Sequence, residues 1–435
     1  MKILLLSADE ENAFLLRRLQ DEGNEVKLLT KTSIGVWKGV IELAESPAAA
    51  VEWGPDLVLV DSPGFGEFVQ RFRELGIAVV GGGTFADKIS QEYLTSMLFL
   101  EASQCRTCDY YDVETAEGIY DYVSATDRPW RVIGGDRHFK AFDDNARLEA
   151  WFESNPEYKG FVLVPDIQVP KQNRFKVAGF VNSRGSMNPA FVYNCCYGMG
   201  IFTTEGVTLK RIANDHPIVQ VSIGKVAEKL YGMGYQGPVF LDCVVDPTEE
   251  DNEDEYTTGS AIRIEDFTLT PPDGFWAAFA RGLDMPLHYF LDRLANPRRP
   301  NTPFDFSKGY VSSRKVSVPP YPMTEAPWID EEKREALKAM MPREKVYADP
   351  HIYWSGVSRQ DDGMYDIVNP VVGYLTGKGP DQAASRTEIT NAWSDLKIPY
   401  SNVAIHSCAS LEIVDLPTWT ARRQLEEELL VINGR

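Results

Sequence analysis

Residues 237–246 read GPVFLDCVVD, residues 247–261 read PTEEDNEDEYTTGSA, and residues 262–274 read IRIEDFTLTPPDG. Two apolar runs rich in Val, Ile, Phe and Thr flank an acidic, turn-rich connection, a pattern that predicts a β-hairpin. Side chains alternate faces along a strand. That puts Ile262, Ile264, Asp266 and Thr268 on one face of the second run, and Arg263, Glu265 and Phe267 on the other. In the first run Asp242 stands among Phe240, Leu241, Cys243 and Val244. A carboxylate in so apolar a strand is costly unless something pairs with it. Asp242 and Asp266, facing each other across the hairpin, would make a hard-oxygen site suited to Mg²⁺ held with nucleotide phosphates. The alternatives are that Lys or Arg bridges both carboxylates, or that they end their strands at solvent. The connecting run 249–255, EEDNEDE, reads as a solvated loop and no site.

The chain has 435 residues and a formal charge of −20. Such a length predicts roughly two to four domains with sizeable cores. The charge excludes bulk binding to nucleic acid or to an anionic membrane, since both need a positive field. The six cysteines are sparse and irregularly spaced. Cys105 and Cys108 have the spacing of half a metal site, but no second pair lies at ligand spacing. The apolar run 2–6 is too short for a secretory signal, and no run of about 18 apolar residues is present to span a bilayer. A reduced, soluble, cytoplasmic protein is the expectation.

Along the chain, residues 2–6, 25–29, 55–61 and 77–80 read as strands. Helices are expected over 14–22, near 39–53 and over 65–75, with Asp9 or Asn12 as the first N-cap and Gly23 as its stop. This strand–helix alternation predicts a small doubly wound sheet. No G-x-G-x-x-G follows the first strand, which disfavours a dinucleotide domain. The turns at 63–66 and 81–84 follow strand ends, where open α/β sheets bind ligands. Further on, a helix is expected over 86–102, strands over 128–135, 161–167 and 175–181, and a helix over 144–153. Residues 194–200, NCCYGMG, read as a Gly-rich loop, and 217–233 as a helix. Strands over 310–318 and 371–376 and a helix over 381–396 complete the reading.

The order of these pieces resembles the ATP-grasp ligases, and in particular phosphoribosylamine–glycine ligase with its divergent phage-encoded relatives. PDLVLVD and GIAVVGGGTFADKIS are similar to that family's N-terminal domain. NCCYGMG resembles its Asn-Thr-Gly-Gly-Met-Gly loop with one residue added. GYQGPVFLDCVVD resembles the strand with the first metal ligand, and EDFTLTPPDG the Glu-Phe-Asn/Thr-x-Arg run. YVSSRKVSVPPYP, HIYWSGV and VVGYLTGKGPDQAASRTEITNAW resemble the C-terminal stretches. The resemblance covers nearly the whole chain in order. It implies an α/β chain with the ATP-grasp fold: a doubly wound N-terminal domain over 1–88, a body over 89–295 with a small flap subdomain near 109–165, and a C-terminal α/β lobe over 296–435. Residues 297–303 are the expected link into that lobe.

The resemblance also implies chemistry. Such ligases phosphorylate a carboxylate with ATP, and an amine then displaces phosphate from the acyl phosphate. The site must offset charge on the moving phosphoryl group. By position, Asp242, Asp266 and Thr268 would hold Mg²⁺ or Mn²⁺. The backbone of Val164, Pro165, Asp166 and Ile167 would meet the adenine edge. Asn194, Gly198, Gly200 and Gly82 would lie near the substrates. Arg131, Lys140 and Arg263 are the candidate catalytic cations. Expected partners are a glycine-like carboxylate and a nucleotide or sugar-phosphate amine, with the chain a monomer or homodimer.

Three departures bear on that chemistry. Gly134 stands where the family has the Lys of Val-Ile-Lys, and the phosphate flap is shortened to Gly135, Asp136, Arg137 and His138. The metal Glu has become Asp266, one methylene shorter. The Arg that follows has become Thr270. Two readings follow: an ADP-forming carboxylate–amine ligase, in which Arg131, Arg137 or Lys140 stands in for the missing Lys, or a relative without catalysis that serves as a binding or structural protein. A serine or cysteine nucleophile has no G-x-S-x-G elbow to support it.

Overall fold

A computed structural model of the chain describes residues 1–8, 10–31, 36–123, 129–134, 137, 139–166, 174–197, 204–213, 216, 218–219, 222–245, 262–299, 304–319, 321, 332, 345–346, 352–359, 365–395 and 402–403. The fold is mixed α/β. Its N-terminal sheet is parallel, built from β1 (Lys2–Ser7), β2 (Glu25–Thr30), β3 (Glu42–Leu43), β4 (Leu57–Val60) and β5 (Ala78–Val80) in the order β3-β2-β1-β4-β5. Apolar runs such as ILLL and LVLV are what a sheet covered on both faces requires. Ile3 and Leu5 pack into one core while Leu4 and Leu6 pack into another on the opposite side. The short β3 and helix Pro47–Glu52 replace the single helical stretch expected near 39–53. The first helix, Phe14–Asp21, has Ala13 at its N-cap with no side-chain cap, so Asn12 does not cap it; Asp9 lies outside the described residues.

Two helices, Thr84–Gln91 and Tyr93–Ala102, meet at Glu92, whose extended backbone interrupts the single helix expected there. They lead into a four-stranded antiparallel sheet of β6 (Tyr111–Thr115), β7 (Trp130–Ile133), β8 (Phe139–Phe142) and β9 (Lys159–Pro165), ordered β6-β9-β7-β8. It has its own core around Trp130, Val132, Phe152, Phe161 and Leu163, closed by helix Asn145–Ser154. Asp144 caps that helix by accepting the Arg147 N–H.

The large sheet has nine strands. β10 (Arg174–Val181), β11 (Met187–Tyr197), β12 (Thr204–Ile212), β13 (Gly237–Val245) and β14 (Ile262–Thr268) come from the middle of the chain. β15 (Tyr310–Ser317), β17 (Ile352–Trp354), β20 (Val371–Gly379) and β21 (Asn402–Val403) come from its last third. β16 (Lys345–Val346), β18 (Val357–Arg359) and β19 (Tyr365–Ile367) form a separate small sheet. The order β14-β13-β10-β11-β12-β15-β20-β17, with β21 beside β15, means that the C-terminal strands continue the central sheet. Strands at 310–318 and 371–376 and the helix Gln382–Asp395 agree with the sequence reading.

Helices Phe275–Gly282 and Leu287–Ala295 bury Phe275, Trp276, Phe279 and Phe290 against one face of this sheet, in a core shared with the N-terminal sheet. Helices Tyr93–Ala102 and Ile223–Gly232 cover the other face. The second of these lies within the helix expected over 217–233, of which residues 217, 220 and 221 lie outside the described residues. Asn194 to Tyr197 belong to β11 and not to a loop. Among the described residues no helix is long and apolar enough to cross a membrane.

Candidate active site at the junction of the two antiparallel sheets

The two strands pair antiparallel as expected, with Asp242 directly opposite Asp266, while the connection over 246–261, with the expected loop 249–255, lies outside the described residues. Directly opposed residues share a face. The simple alternation expected along β14 does not hold, however. A bulge falls between Asp242 and Cys243: Cys243 pairs with Ile264 and Glu265 is the extra residue. One additional residue shifts the parity of everything beyond it. Arg263, Asp266 and Thr268 therefore share the Asp242 face, while Ile262, Ile264 and Phe267 pack together in the core behind. This corrects the grouping of Ile262 and Ile264 with Asp266.

Each carboxylate at the hairpin has a cationic partner. Lys176, in register with Asp242 on β10, is ion-paired with it. Arg137 is ion-paired with Asp266. The Arg137 guanidinium also donates to the carbonyls of Ile89 (2.7 Å), Ser90 (3.3 Å) and Phe267 (2.9 Å) and to the Ser96 hydroxyl (3.2 Å). Its α-carbon has φ 62°, in the left-handed region that costs a non-glycine residue energy, so the packing around it imposes this conformation. Arg137 is thus a fastener between the β7–β8 turn and the body.

Glu265, 5% exposed, is the centre of a second cluster. Arg174 donates to both its oxygens at 2.6 Å, and Arg131 to one at 3.0 Å. Asp166 accepts from Arg174 at 3.0 Å and lies 3.7 Å from the Arg131 Nε. These four residues tie the ends of β7 and β9 to β10 and β14. Simple alternation groups Glu265 with Arg263 and Phe267; in the structure it is the extra residue of the bulge and the centre of this buried cluster.

The remaining candidates divide. Arg131 and Asp166 meet in the second cluster. The backbone N–H of Asp166 is given to the Pro129 carbonyl (2.9 Å), and Val164 and Pro165 are paired with β7. Val164 is fully buried in the core. Lys140 is a correction. It is in register with Val132, on the face of the flap sheet opposite Arg131, and its ammonium sits 4.4 Å from the Trp151 ring, exposed. Asn194 is also a correction. Tyr193 is in register with Lys176, so the next residue, Asn194, turns to the face away from Asp242, beside Thr208. Arg263 lies on the Asp242 face, 3.6 Å from Asp109. The Thr268 hydroxyl accepts the Thr270 N–H at 3.1 Å. Gly198, Gly200 and Ile167 lie outside the described residues.

Gly82 lines a small open cleft at the carboxyl ends of β4 and β5, with Asp61, Ser62, Asp87, Ser90, Tyr235 and Thr270. A Cβ on Gly82 would come within 2.2 Å of the Ala86 Cβ and 2.6 Å of the Tyr235 ring, so glycine is what the packing there tolerates. Asp61 is held by the hydroxyls of Ser7 (2.9 Å) and Ser62 (2.8 Å), and Asp87 by the Gly66 N–H (2.8 Å).

The implied metal can be tested against this arrangement. Asp166, Asp242, Glu265 and Asp266 are matched by Arg131, Arg137, Arg174 and Lys176, so charge is balanced without an ion. A divalent cation at Asp242 and Asp266 would have to displace both Lys176 and Arg137. Among the described residues no group of three or more His, Cys, Asp or Glu stands ready to hold a metal. As arranged, these residues do not fit a bound Mg²⁺ or Mn²⁺. Among the described residues Cys105 and Cys108 belong to no group of three or more His, Cys, Asp or Glu that could hold a metal. Both are buried free thiols, with burial pushing Cys105 up to about 11, and burial followed by Glu265 pushing Cys108 up to about 12.

Sequence reading missed Arg174 and Lys176 as the partners. The signal was there: RFKVAGFV is an apolar strand with two cations on one face, and buried cations need acidic partners.

No family model matches the chain, and no curated protein matches it. Solved structures do. Phosphoribosylamine–glycine ligase from Thermotoga maritima superimposes with a TM-score of 0.66 at 15% identity, over 93% of this chain and 98% of that one. Biotin carboxylase from Campylobacter jejuni gives 0.62 at 11% identity, over 93% of each. N5-carboxyaminoimidazole ribonucleotide synthetase from Thermus thermophilus gives 0.57 at 14% identity, over 92% and 99%. A doubly wound N-terminal sheet, a small antiparallel flap sheet and a large antiparallel sheet, arranged as in these three proteins over nearly the whole length, give this chain the ATP-grasp fold.

Proposed function

We propose that the chain is an ATP-dependent, ADP-forming ligase that joins a small carboxylate to a small amine. One observation carries the reading: Arg131 and Arg174 meet at Glu265, and Lys176 at Asp242, where the flap sheet joins the large sheet. In the reaction a substrate carboxylate oxygen attacks the γ-phosphorus of ATP and ADP leaves. The amine nitrogen then attacks the acyl carbon, the C–O bond to phosphate breaks, and the amine gives up a proton. Charge on the transferring phosphoryl group needs fixed cations around it, and these three side chains supply them. The cleft beside Gly82 takes the amine. Two carboxylates, Asp61 and Asp87, among its lining residues favour an amine that arrives protonated and gives up one proton before its nitrogen attacks, the second leaving as the amide forms. A glycine-like acid is the proposed carboxylate partner.

The fastening of Arg137 to the body favours a second reading, in which the chain binds a nucleotide without turning it over. Calorimetric titration with ATP, with and without Mg²⁺, followed by an ADP-release screen over amino acids and amines, separates the two. ADP released only when acid and amine are both present supports the ligase. Nucleotide binding with no release supports the second reading, and no binding at all refutes both.

A further inference from the structure

β15 alternates its side chains between the two faces of the large sheet. Val311 is in register with Leu209, and Leu209 with Tyr193, so Ser313 and Lys315 take the Asp242 face. Ser312 and Arg314 point the other way, beneath helix Gln382–Asp395. On the first face Lys315 is buried with Asp273 as its partner at 2.8 Å. Arg314 is just as buried, at 1% exposure, and among the described residues no carboxylate is paired with it. Its Nη1 donates to the carbonyls of Val207 (3.3 Å) and Ser313 (2.5 Å). Its Nε and Nη2 are buried without a hydrogen-bond partner. The charged neighbour that acts on it is a second cation, Arg386, and the Arg386 Nε is likewise buried and unpartnered. The hydroxyls of Ser312 and Ser385, 2.5 Å apart, pin the helix to the strand beside them.

A buried guanidinium stays charged, because its pKa is far above neutrality even when depressed. Burial first, and Arg386 second, bring Arg314 down to about 10, which still leaves it cationic at pH 7. Two adjacent cations with three orphaned donor nitrogens in an interior are costly unless an acceptor and a negative charge meet them. One small anion does both.

We propose that Arg314 and Arg386 hold a buried inorganic anion of halide size between β15 and helix Gln382–Asp395. The orphaned N–H groups set its place, and the near-complete burial of Arg314 sets its size. The anion staples the helix to the sheet and is independent of the nucleotide chemistry proposed above.

The test is thermal unfolding in sodium chloride against sodium gluconate at constant ionic strength, since gluconate is too large to enter. The melting temperature should rise with chloride, on the order of 2 °C for each tenfold increase once the site begins to fill. Bromide should substitute for chloride. Arg314→Met should abolish the difference between the two salts, and Arg386→Met should reduce it. Equal melting temperatures in both salts, or an undiminished chloride response in Arg314→Met, would overturn the proposal. Should Arg314→Met fail to fold, anomalous diffraction from a bromide-soaked crystal of the unaltered protein decides the matter. A bromide peak within hydrogen-bond reach of both guanidiniums supports the site, and the absence of a peak there refutes it.

Discussion

The Arg137 guanidinium is ion-paired with the Asp266 carboxylate, which fastens the turn between two flap strands to the hairpin that aligns Asp266 with Asp242. The same guanidinium holds the carbonyls of Ile89 and Phe267. Arg137→Ala removes all of these bonds at a side chain that is 14% exposed. We expect a stability loss of about 2–4 kcal/mol in urea unfolding. Amide exchange in β7 and β8 should quicken more than in β1–β5. Unchanged exchange in the flap would mean that Arg137 does not fasten it.

At Asp266 two roles make different predictions. If the carboxylate holds a metal with nucleotide, Asp266→Asn lowers Mg²⁺-dependent nucleotide affinity about tenfold, the scale of one charge-assisted contact. If it serves only as the partner of Arg137, the variant loses stability while the ratio of affinities with and without Mg²⁺ stays constant. The ion pair seen in the structure favours the constant ratio. Calorimetry on both proteins, with EDTA as the metal-free arm, reads it directly.

Lys176 occupies the place beside Asp242 that a divalent ion would need. Lys176→Met removes one positive charge and leaves the carboxylate available. Affinity for Mg²⁺ in the presence of nucleotide should rise by roughly tenfold, about one unit charge of relief. Nucleotide affinity without Mg²⁺ should fall, as a cation on the phosphate side requires, and an unchanged Mg²⁺ affinity would show that Lys176 does not stand in a metal's place.

Strand alternation alone puts Glu265 on the face away from Asp266, where Glu265→Gln affects Mg²⁺-dependent nucleotide affinity less than Asp266→Asn does. With the bulge in place it leaves Arg131 and Arg174 short of their shared carboxylate. Removing one member of a buried charge cluster costs about 3–5 kcal/mol. The measurement is the urea midpoint of Glu265→Gln beside that of an exposed control such as Glu74→Gln. Equal midpoints would contradict the hub.

Glu22 links the first helix to the later helix Leu287–Ala295. It accepts from the backbone N–H groups of Leu287 (2.8 Å) and His288 (3.0 Å), from the His288 ring and from Arg18. Burial works to raise its pKa, but these hydrogen bonds outweigh burial and the net shift is downward from 4.5. A carboxylate depressed in the folded state adds stability that is complete above its unfolded pKa and is lost as pH falls through the folded value. Glu22→Gln should therefore be less stable than the parent at neutral pH by about 1 kcal/mol, and the gap should close on acidification below about pH 4. A gap that does not change with pH would rule out ionisation as its source.

The hairpin was legible because its two apolar runs and acidic turn are local signals, and the opposition of Asp242 and Asp266 followed once the strands were paired. The bulge was not legible. IRIED alternates as well without it as with it, and only the pairing of Cys243 with Ile264 shows that one residue is extra. Lys140 went astray for a related reason. Its charge and position near the flap suggested phosphate contact, but the register of β8 against β7 turned it to the opposite face from Arg131.

By itself the sequence determined the layer order: parallel strands alternating with helices first, then antiparallel strands with period-two alternation. Both periods are set by neighbours a few residues apart, so they survive without knowledge of the whole. The charge pairing was decided by tertiary structure alone. Asp242 meets a lysine 66 positions away and Asp266 an arginine 129 positions away. A carboxylate in an apolar strand demands a positive partner, but nothing local says whether that partner is a metal ion or a side chain. The packing of the flap against the large sheet brings Arg137 to Asp266, and the register of β10 against β13 brings Lys176 to Asp242.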